Sequence, residues 1–311
     1  MPVLPDVVIR YLAPRGAGEL MVDATLGEGG HSYAFLSRFP ELRIIGVDAD
    51  RDIQEIARER LKEFGDRIHF YSGWSQDFFV EFPRDIKRPD TILIDLGVSG
   101  YHYERGGRGF SFRKDEFLDM RIDPGRGLTA AELLERLSEG ELADLLYQNA
   151  GERYSRRIAR AIVGARSSGS LGSSAVLAEL VERVVPPHYR HGPVHAATKT
   201  FQALRIAVNG ELSRLPALLE GALNVLESGG RLGVISFHSL EDRIVKNFFR
   251  EKNKDCTCPP EDPICRCKGR RIVTLLTRKP VGPTDDEIRN NPASRSAKLR
   301  VVEKNLDEEG L

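Results

Sequence analysis

Val22-Asp23-Ala24-Thr25-Leu26-Gly27-Glu28-Gly29-Gly30-His31 is the stretch whose reading decides the fold. An apolar run closes on a carboxylate, a glycine-rich turn follows, and an amphipathic segment over 31–38 continues from it, which is the pattern of a strand feeding a helix through a tight loop. Glycine permits the positive φ and the close backbone approach that such a loop needs beside a ligand. About twenty residues later a second apolar run, Ile45-Gly46-Val47-Asp48, ends in another acid, placed where a carboxylate can hold both hydroxyls of a ribose. Loop and acid together predict an adenosyl cofactor. A dinucleotide requires G-x-G-x-x-G after the strand, so that bare amides and a helix N-terminus hold the pyrophosphate. Here the spacing is Gly27-x-Gly29-Gly30, and Asp23 at the strand end would repel a diphosphate while suiting a cationic amino-acid tail. The residues therefore favour S-adenosylmethionine over NAD.

Outward from this loop, apolar strands are expected over 19–24, 43–48, 67–71 and 91–95, with amphipathic helices over 31–38 and 52–64 between them. Strand and helix in alternation predict a parallel sheet with crossover helices. After Asp95 the rhythm changes. Glycine, arginine and aromatic residues crowd 105–112, then Leu133, Leu134, Leu137, Leu142, Leu145 and Leu146, Ile158 and Ile162, and Leu177, Leu180 and Val184 recur at helical spacing. Strand signals resume over 231–237, 271–276 and 297–302. The expected architecture is α/β, a Rossmann-like class I methyltransferase sheet of seven strands with the last antiparallel, interrupted by an all-helical domain. The expected division is 1–107 for the first part of the core, 108–199 for the insertion and 200–311 for the rest.

The bulk properties set limits. A chain of 311 residues, 41% hydrophobic and 30% charged, can bury a full core. No basic segment precedes an apolar one at the start, and no apolar run approaches a membrane span, so a cytoplasmic protein with no membrane partner is expected. Basic and acidic side chains number 46 each, so any grip on nucleic acid has to come from local patches. The four cysteines, Cys256, Cys258, Cys265 and Cys267, share one short stretch, unlike a secreted disulfide framework. Paired C-x-C hooks offer four thiolates to a zinc ion, but the spacing is not the usual C-x-x-C, and Pro259, Pro260 and Pro263 suit an exposed loop.

Methyl transfer to cytosine C5 requires a cysteine nucleophile near the fourth or fifth strand, because the ring must first be attacked at C6. Neither place has one. Transfer to nitrogen or oxygen remains, in which the protein supplies position, desolvation and a hydrogen-bond acceptor. Asp95, ending the fourth strand in Ile94-Asp95-Leu96-Gly97-Val98-Ser99, is the first candidate acceptor, and His238, just past the fifth strand at the sheet's carboxyl edge, is the second. Trp74, the one tryptophan, follows the third strand, where its face can lie along adenine. A helix expected over 151–166 carries Arg153, Arg156, Arg157 and Arg160 at helical spacing, opposite Ile158 and Ile162, and so predicts a basic face; Arg105 and Arg108 lie in a glycine-rich loop beside the expected site. Arg105, Arg108, Arg156 and Arg157 are the candidate RNA contacts.

The glycine loop, Asp95-Leu96-Gly97-Val98-Ser99, Arg108-Gly109-Phe110-Ser111-Phe112, Leu118-Asp119-Met120-Arg121, the 200–206 segment Thr-Phe-Gln-Ala-Leu-Arg-Ile, the 236–246 segment Ser-Phe-His-Ser-Leu-Glu-Asp-Arg-Ile-Val-Lys and the 291–300 segment beginning Asn291-Pro292-Ala293-Ser294 resemble one family over almost the whole chain. It is that of the bacterial small-subunit ribosomal RNA cytidine N4-methyltransferases, RsmH or MraW. The resemblance implies a methyltransferase core with a helical domain inserted after the fourth strand. It implies methylation of a decoding-site cytidine of 16S ribosomal RNA in the small ribosomal subunit, with S-adenosylmethionine as cofactor and no required metal. By position, the family's cofactor contacts fall on Gly29, Gly30, His31, Asp48, Trp74, Asp95 and His102. Trp74 stands where phenylalanine is common and His102 where glutamine is common. Two other classes compete with this reading. A non-catalytic RNA-binding assembly factor would keep the basic surface without binding the cofactor, and a NAD-dependent oxidoreductase is disfavoured by the loop spacing. Monomer and homodimer are both compatible with the sequence.

Overall fold

The computed structural model describes residues 1–168, 171–192, 194–256 and 271–305. Among these, seven strands form one sheet: β1 Leu20–Asp23, β2 Arg43–Asp48, β3 Ile68–Ser72, β4 Thr91–Asp95, β5 Arg231–Ser236, β6 Val273–Leu275 and β7 Lys298–Lys304. Their order is β3-β2-β1-β4-β5-β7-β6. β1 to β5 run parallel, and β7 lies antiparallel to both β5 and β6. This is the sheet expected from the sequence, with strand ends shifted by a residue or two. β6 is shorter than the 271–276 run because the Ile272 N–H leaves the ladder and donates to the Lys252 carbonyl.

Strand side chains alternate between two apolar layers, as the twofold repeat of a strand requires. Leu20, Val22, Ile92, Ile94, Leu232 and Val234 enter one core, and Met21, Ile44, Leu93, Ile235, Leu299 and Val301 enter the other. The helices are α1 Pro5–Leu12, α2 Gly30–Arg38, α3 Arg51–Leu61, α4 Ser75–Val80, α5 Gly100–Glu104, α6 Ala130–Arg136, α7 Glu139–Ala150, α8 Ser155–Ala165, α9 Ser174–Val184, α10 Pro187–Arg190, α11 Thr198–Asn209, α12 Glu211–Val225, α13 Ser239–Lys252 and α14 Asp285–Asn290. The first core includes residues of α4, α12 and α13, the second residues of α1, α2 and α3.

The chain divides into two compact units, one of Met1–Gly97 with Arg214–Leu311 and one of Val98–Ser213. The helical unit therefore starts before residue 108 and ends after 199, the limits expected from the sequence. The reason lies in α11. Its Phe201, Ala203 and Leu204 are buried in the helical unit's own core with Leu142 and Leu146 of α7 and Ile158 of α8. Two reciprocal caps start helices here: Thr129 with Glu132 at α6, and Ser138 with Glu141 at α7. The helix expected over 151–166 is shorter than that, because Gly151 adopts φ 59° and closes α7 instead of opening α8. Arg153 is left outside the helix, while Arg156, Arg157 and Arg160 stay exposed opposite buried Ile158 and Ile162.

Candidate active site

Parallel strands bring their carboxyl ends to one edge of the sheet, and three of them end in aspartate: Asp23 on β1, Asp48 on β2 and Asp95 on β4. Asp23 is buried, at 1% exposure. The Ser32 hydroxyl, in the first turn of α2, donates to its Oδ2 at 2.7 Å, and Oδ1 has no hydrogen-bond partner. Burial pushes the Asp23 carboxyl above its ordinary range. The neighbouring His31 and the Ser32 hydrogen bond pull it back, and the charge of Asp95 adds to the rise. His31 is also buried, and its Nε2 lies 3.6 Å from Asp95 Oδ2, within ion-pair reach but too long for a hydrogen bond. Asp95 is fixed at both ends. Its N–H donates to Thr25 Oγ1 at 2.6 Å, tying β4 to the glycine loop, and its Oδ1 accepts the Gly97 N–H at 2.9 Å.

Asp48 shapes the loop as well as ending β2: Oδ2 accepts the Gly27 N–H at 2.7 Å and Oδ1 the Asp50 N–H at 2.9 Å. Gly29 and Gly30 are glycines for a reason internal to the fold. Gly29 has φ 75° and a Cβ there would meet Leu61 Cδ1 at 2.9 Å, while one on Gly30 would press on Pro2 at 3.2 Å. Trp74 precedes α4, and the next residue, Ser75, donates its hydroxyl to the Ala24 carbonyl, which ties the start of α4 to the start of the glycine loop. One face of that indole carries the Arg214 guanidinium, 4.2 Å from the ring centroid.

His238 precedes α13, and its side chain caps that helix. Nδ1 accepts the Glu241 N–H at 3.4 Å, while Nε2 lies 3.0 Å from Glu241 Oε1 and is buried without a hydrogen-bond partner among the described residues. Glu241 in turn accepts the Phe237 and His238 N–H groups. In the helical unit, His102 on α5 is buried, its ring 5.1 Å from that of Phe110. Arg105 is exposed at the end of α5. Arg108 is a brace within its loop, donating from Nη1 to the carbonyls of Arg121 at 3.1 Å and Ile122 at 3.0 Å. The same unit holds a cleft of about 420 Å³ lined by Tyr103, Phe110, Phe112, Phe201, Gln202 and Arg205 among others. Cys256 is exposed; Cys258, Cys265 and Cys267 lie outside the described residues, as does the proline-rich stretch between them.

The structure thus gathers Gly29, Gly30, His31, Asp48 and Asp95 around one loop and sets Trp74 at its start. The Ser32 tether on Asp23, the Thr25 tether on Asp95 and the Arg214 stack are absent from the sequence reading. Ser32 carried a usable signal, a hydroxyl in the first turn of the helix packed on the strand that Asp23 ends. Arg214, 140 positions from Trp74, carried none.

A set of carboxylates around a glycine turn at the carboxyl edge of a doubly wound sheet suits a cationic nucleoside ligand, and the chain is similar to known methyltransferases. Residues 1–305 match the model of the MraW methylase family. A protein of Treponema denticola named ribosomal RNA small subunit methyltransferase H is 55% identical over 302 residues, covering 97% of this chain and 96% of the relative. Proteins of the same name from Treponema pallidum and Syntrophobacter fumaroxidans are each 46% identical, covering 93% and 98% of this chain and 85% and 96% of the relatives. With both the family model and these relatives matching nearly end to end, the chain belongs to the MraW methylase family.

Proposed function

We propose that this protein is an S-adenosylmethionine-dependent methyltransferase of 16S ribosomal RNA that acts on the exocyclic N4 of a decoding-site cytidine, with the small ribosomal subunit as its partner. The observation that supports it most is the Asp23–His31–Asp95 cluster, with Asp23 and His31 buried and Asp95 half-buried: two carboxylates around one imidazole, with Asp23 Oδ1 lacking a hydrogen-bond partner, suit a cation. Asp23 would take the cofactor's ammonium, Asp48 its ribose, the Gly29-Gly30-His31 turn its methionine end and the Trp74 indole its adenine. When bound, the cofactor supplies an electrophilic methyl carbon, to which a nitrogen–carbon bond forms as the carbon–sulfur bond breaks.

The N4 lone pair is delocalised into the ring, so attack requires the amine to pyramidalise and one proton to leave. Asp95 Oδ2, which takes no hydrogen bond among the described residues, is the acceptor. Gly97 holds the other carboxylate oxygen, which fixes the direction of Oδ2 without spending it. His238 is the alternative acceptor, and the use of its Nδ1 in the α13 cap favours Asp95. Arg156 and Arg157, with Arg105, are exposed cations suited to phosphates. Arg108 orders its loop from within. The aromatic cleft of the helical unit has the make-up that receives an unstacked RNA base.

The test is mass spectrometry of 16S ribosomal RNA from cells lacking the gene and cells regaining it. An N4-methyl on cytidine should vanish and return with the gene; a cytidine methylation pattern identical in both strains would end this reading.

A further inference from the structure

Seven of the eight arginines that are at least partly buried among the described residues reach an acceptor. Arg121, Arg205, Arg231 and Arg300 hold carboxylates, and Arg67, Arg108 and Arg166 hold main-chain carbonyls. Arg214 is the eighth. Its guanidinium lies on the Trp74 indole at 4.2 Å, makes no hydrogen bond or ion pair among the described residues, and has Nη1 out of water with no acceptor. Trp74 Nε1 is a second buried donor without a partner in the same stack. Each such donor costs free energy as long as no acceptor arrives.

A guanidinium held against an aromatic face loses little further freedom when it binds, and its N–H fork matches the oxygens of a phosphate or carboxylate. We propose that Arg214, braced by Trp74, binds a phosphate of the RNA strand. The proposal rests on the reading of RNA as substrate. The cofactor's carboxylate is the rival oxyanion, but the first-turn amides of α2, at the glycine loop, already offer it donors. With a formal net charge of zero, the chain has no general attraction for RNA, so a cation kept unpaired beside the site has a specific use.

The test is the salt dependence of binding between the full-length protein and a short labelled single-stranded RNA, followed by fluorescence anisotropy from about 50 to about 200 mM salt. In Arg214→Gln the plot of log affinity against log salt should become shallower by about 0.7, the value for one lost contact on a single strand, with affinity at low salt several-fold weaker. Arg214→Met keeps an apolar side chain on the indole and should behave the same way, which separates the charge from the packing. Affinity for S-adenosylhomocysteine should stay within about threefold in both. A wild-type slope in both variants overturns the proposal alone. So does a loss of S-adenosylhomocysteine affinity with the RNA slope intact, which would hand Arg214 to the cofactor's carboxylate. A wild-type protein without measurable RNA binding sinks the RNA reading and this proposal with it.

Discussion

Replacing Asp48 by alanine should damage the fold as well as the cofactor site. In the structure its carboxylate accepts two main-chain N–H groups, Gly27 at 2.7 Å and Asp50 at 2.9 Å. Hydrogen bonds to a charged group contribute about 1.5–3 kcal/mol each. Asp48 is half-buried, so water can replace part of what is lost, and the low end of that range is appropriate, about 3 kcal/mol for the pair. The core unit has roughly 200 residues, for which each kcal/mol moves Tm by about 2–4 °C, giving a fall of about 6–12 °C by scanning calorimetry. Asp48→Asn keeps one carbonyl oxygen as acceptor and sets its amide NH2, a donor, against the other N–H, so it should show about half that drop. Affinity for S-adenosylhomocysteine, measured by titration calorimetry, should fall in Asp48→Ala by a further 10- to 100-fold, roughly the loss of a charged acceptor for the ribose hydroxyls. An unchanged Tm in Asp48→Ala would refute the tether reasoning, and an unchanged affinity at a temperature where the variant is folded would remove Asp48 from the ribose.

Asp95→Asn keeps the Gly97 contact and should hold cofactor affinity within about tenfold while lowering the single-turnover rate roughly a hundredfold; collapse of affinity with the rate at saturating cofactor preserved would make Asp95 a binding residue only. Asp23 has a carboxyl raised above its unfolded value of 3.8 chiefly by burial, so the stability it contributes is fully present below that value and is lost as pH rises through the higher folded value. Asp23→Asn, which still accepts from Ser32, should therefore melt above wild type at neutral pH, with the gain vanishing as pH approaches 3.8, and should bind S-adenosylhomocysteine more weakly; a neutral-pH Tm at or below wild type would contradict the burial argument. His238→Ala should lose about 1 kcal/mol of cap, whereas His238→Asn, a good capping residue, should recover both stability and rate. Equal and severe slowing in the two His238 variants would restore the ring to the chemistry.

The parts of this molecule legible in the sequence are those where one local rule acts alone. β1, β2 and β4 are apolar runs that stop at an aspartate, and their ends were readable to within a residue or so because a buried parallel strand has little else to be. The limits of the helical unit were not readable for a reason α11 illustrates. Its periodicity says that Phe201 and Leu204 face a core, but not whether the core is the sheet's or that of α7 and α8. Gly151 shows a second failure, since a glycine between two helical patterns can open one or close the other, and only the left-handed φ of 59° decides. The arginines show a third. Arg108 and Arg214 look alike in sequence, yet one is consumed by two carbonyls and the other is stacked without an acceptor, because partners 13 or 140 positions away are set by tertiary packing.

The site itself is a place where local rules conflict, and the conflict identifies its purpose. Placing Asp23, Asp48 and Asp95 at the ends of three adjacent parallel strands puts like charges on one edge, and burying Asp23 among them adds a desolvation penalty. The fold offsets part of this with neutral donors: Ser32 for Asp23, the Gly27 and Asp50 amides for Asp48, and the Gly97 amide for Asp95. None of these donors is a full positive charge, and His31, the one titratable base in the cluster, sits beyond hydrogen-bond distance of Asp95. A structural core has no reason to keep such an arrangement, since an apolar residue at Asp23 would pack without the penalty. It suits the reading of this edge as the place where a cationic ligand binds. A sulfonium and an ammonium carried on one adenosyl scaffold would be attracted to such carboxylates, so Asp23→Asn and Asp48→Ala are expected to weaken cofactor binding even where they leave the fold intact.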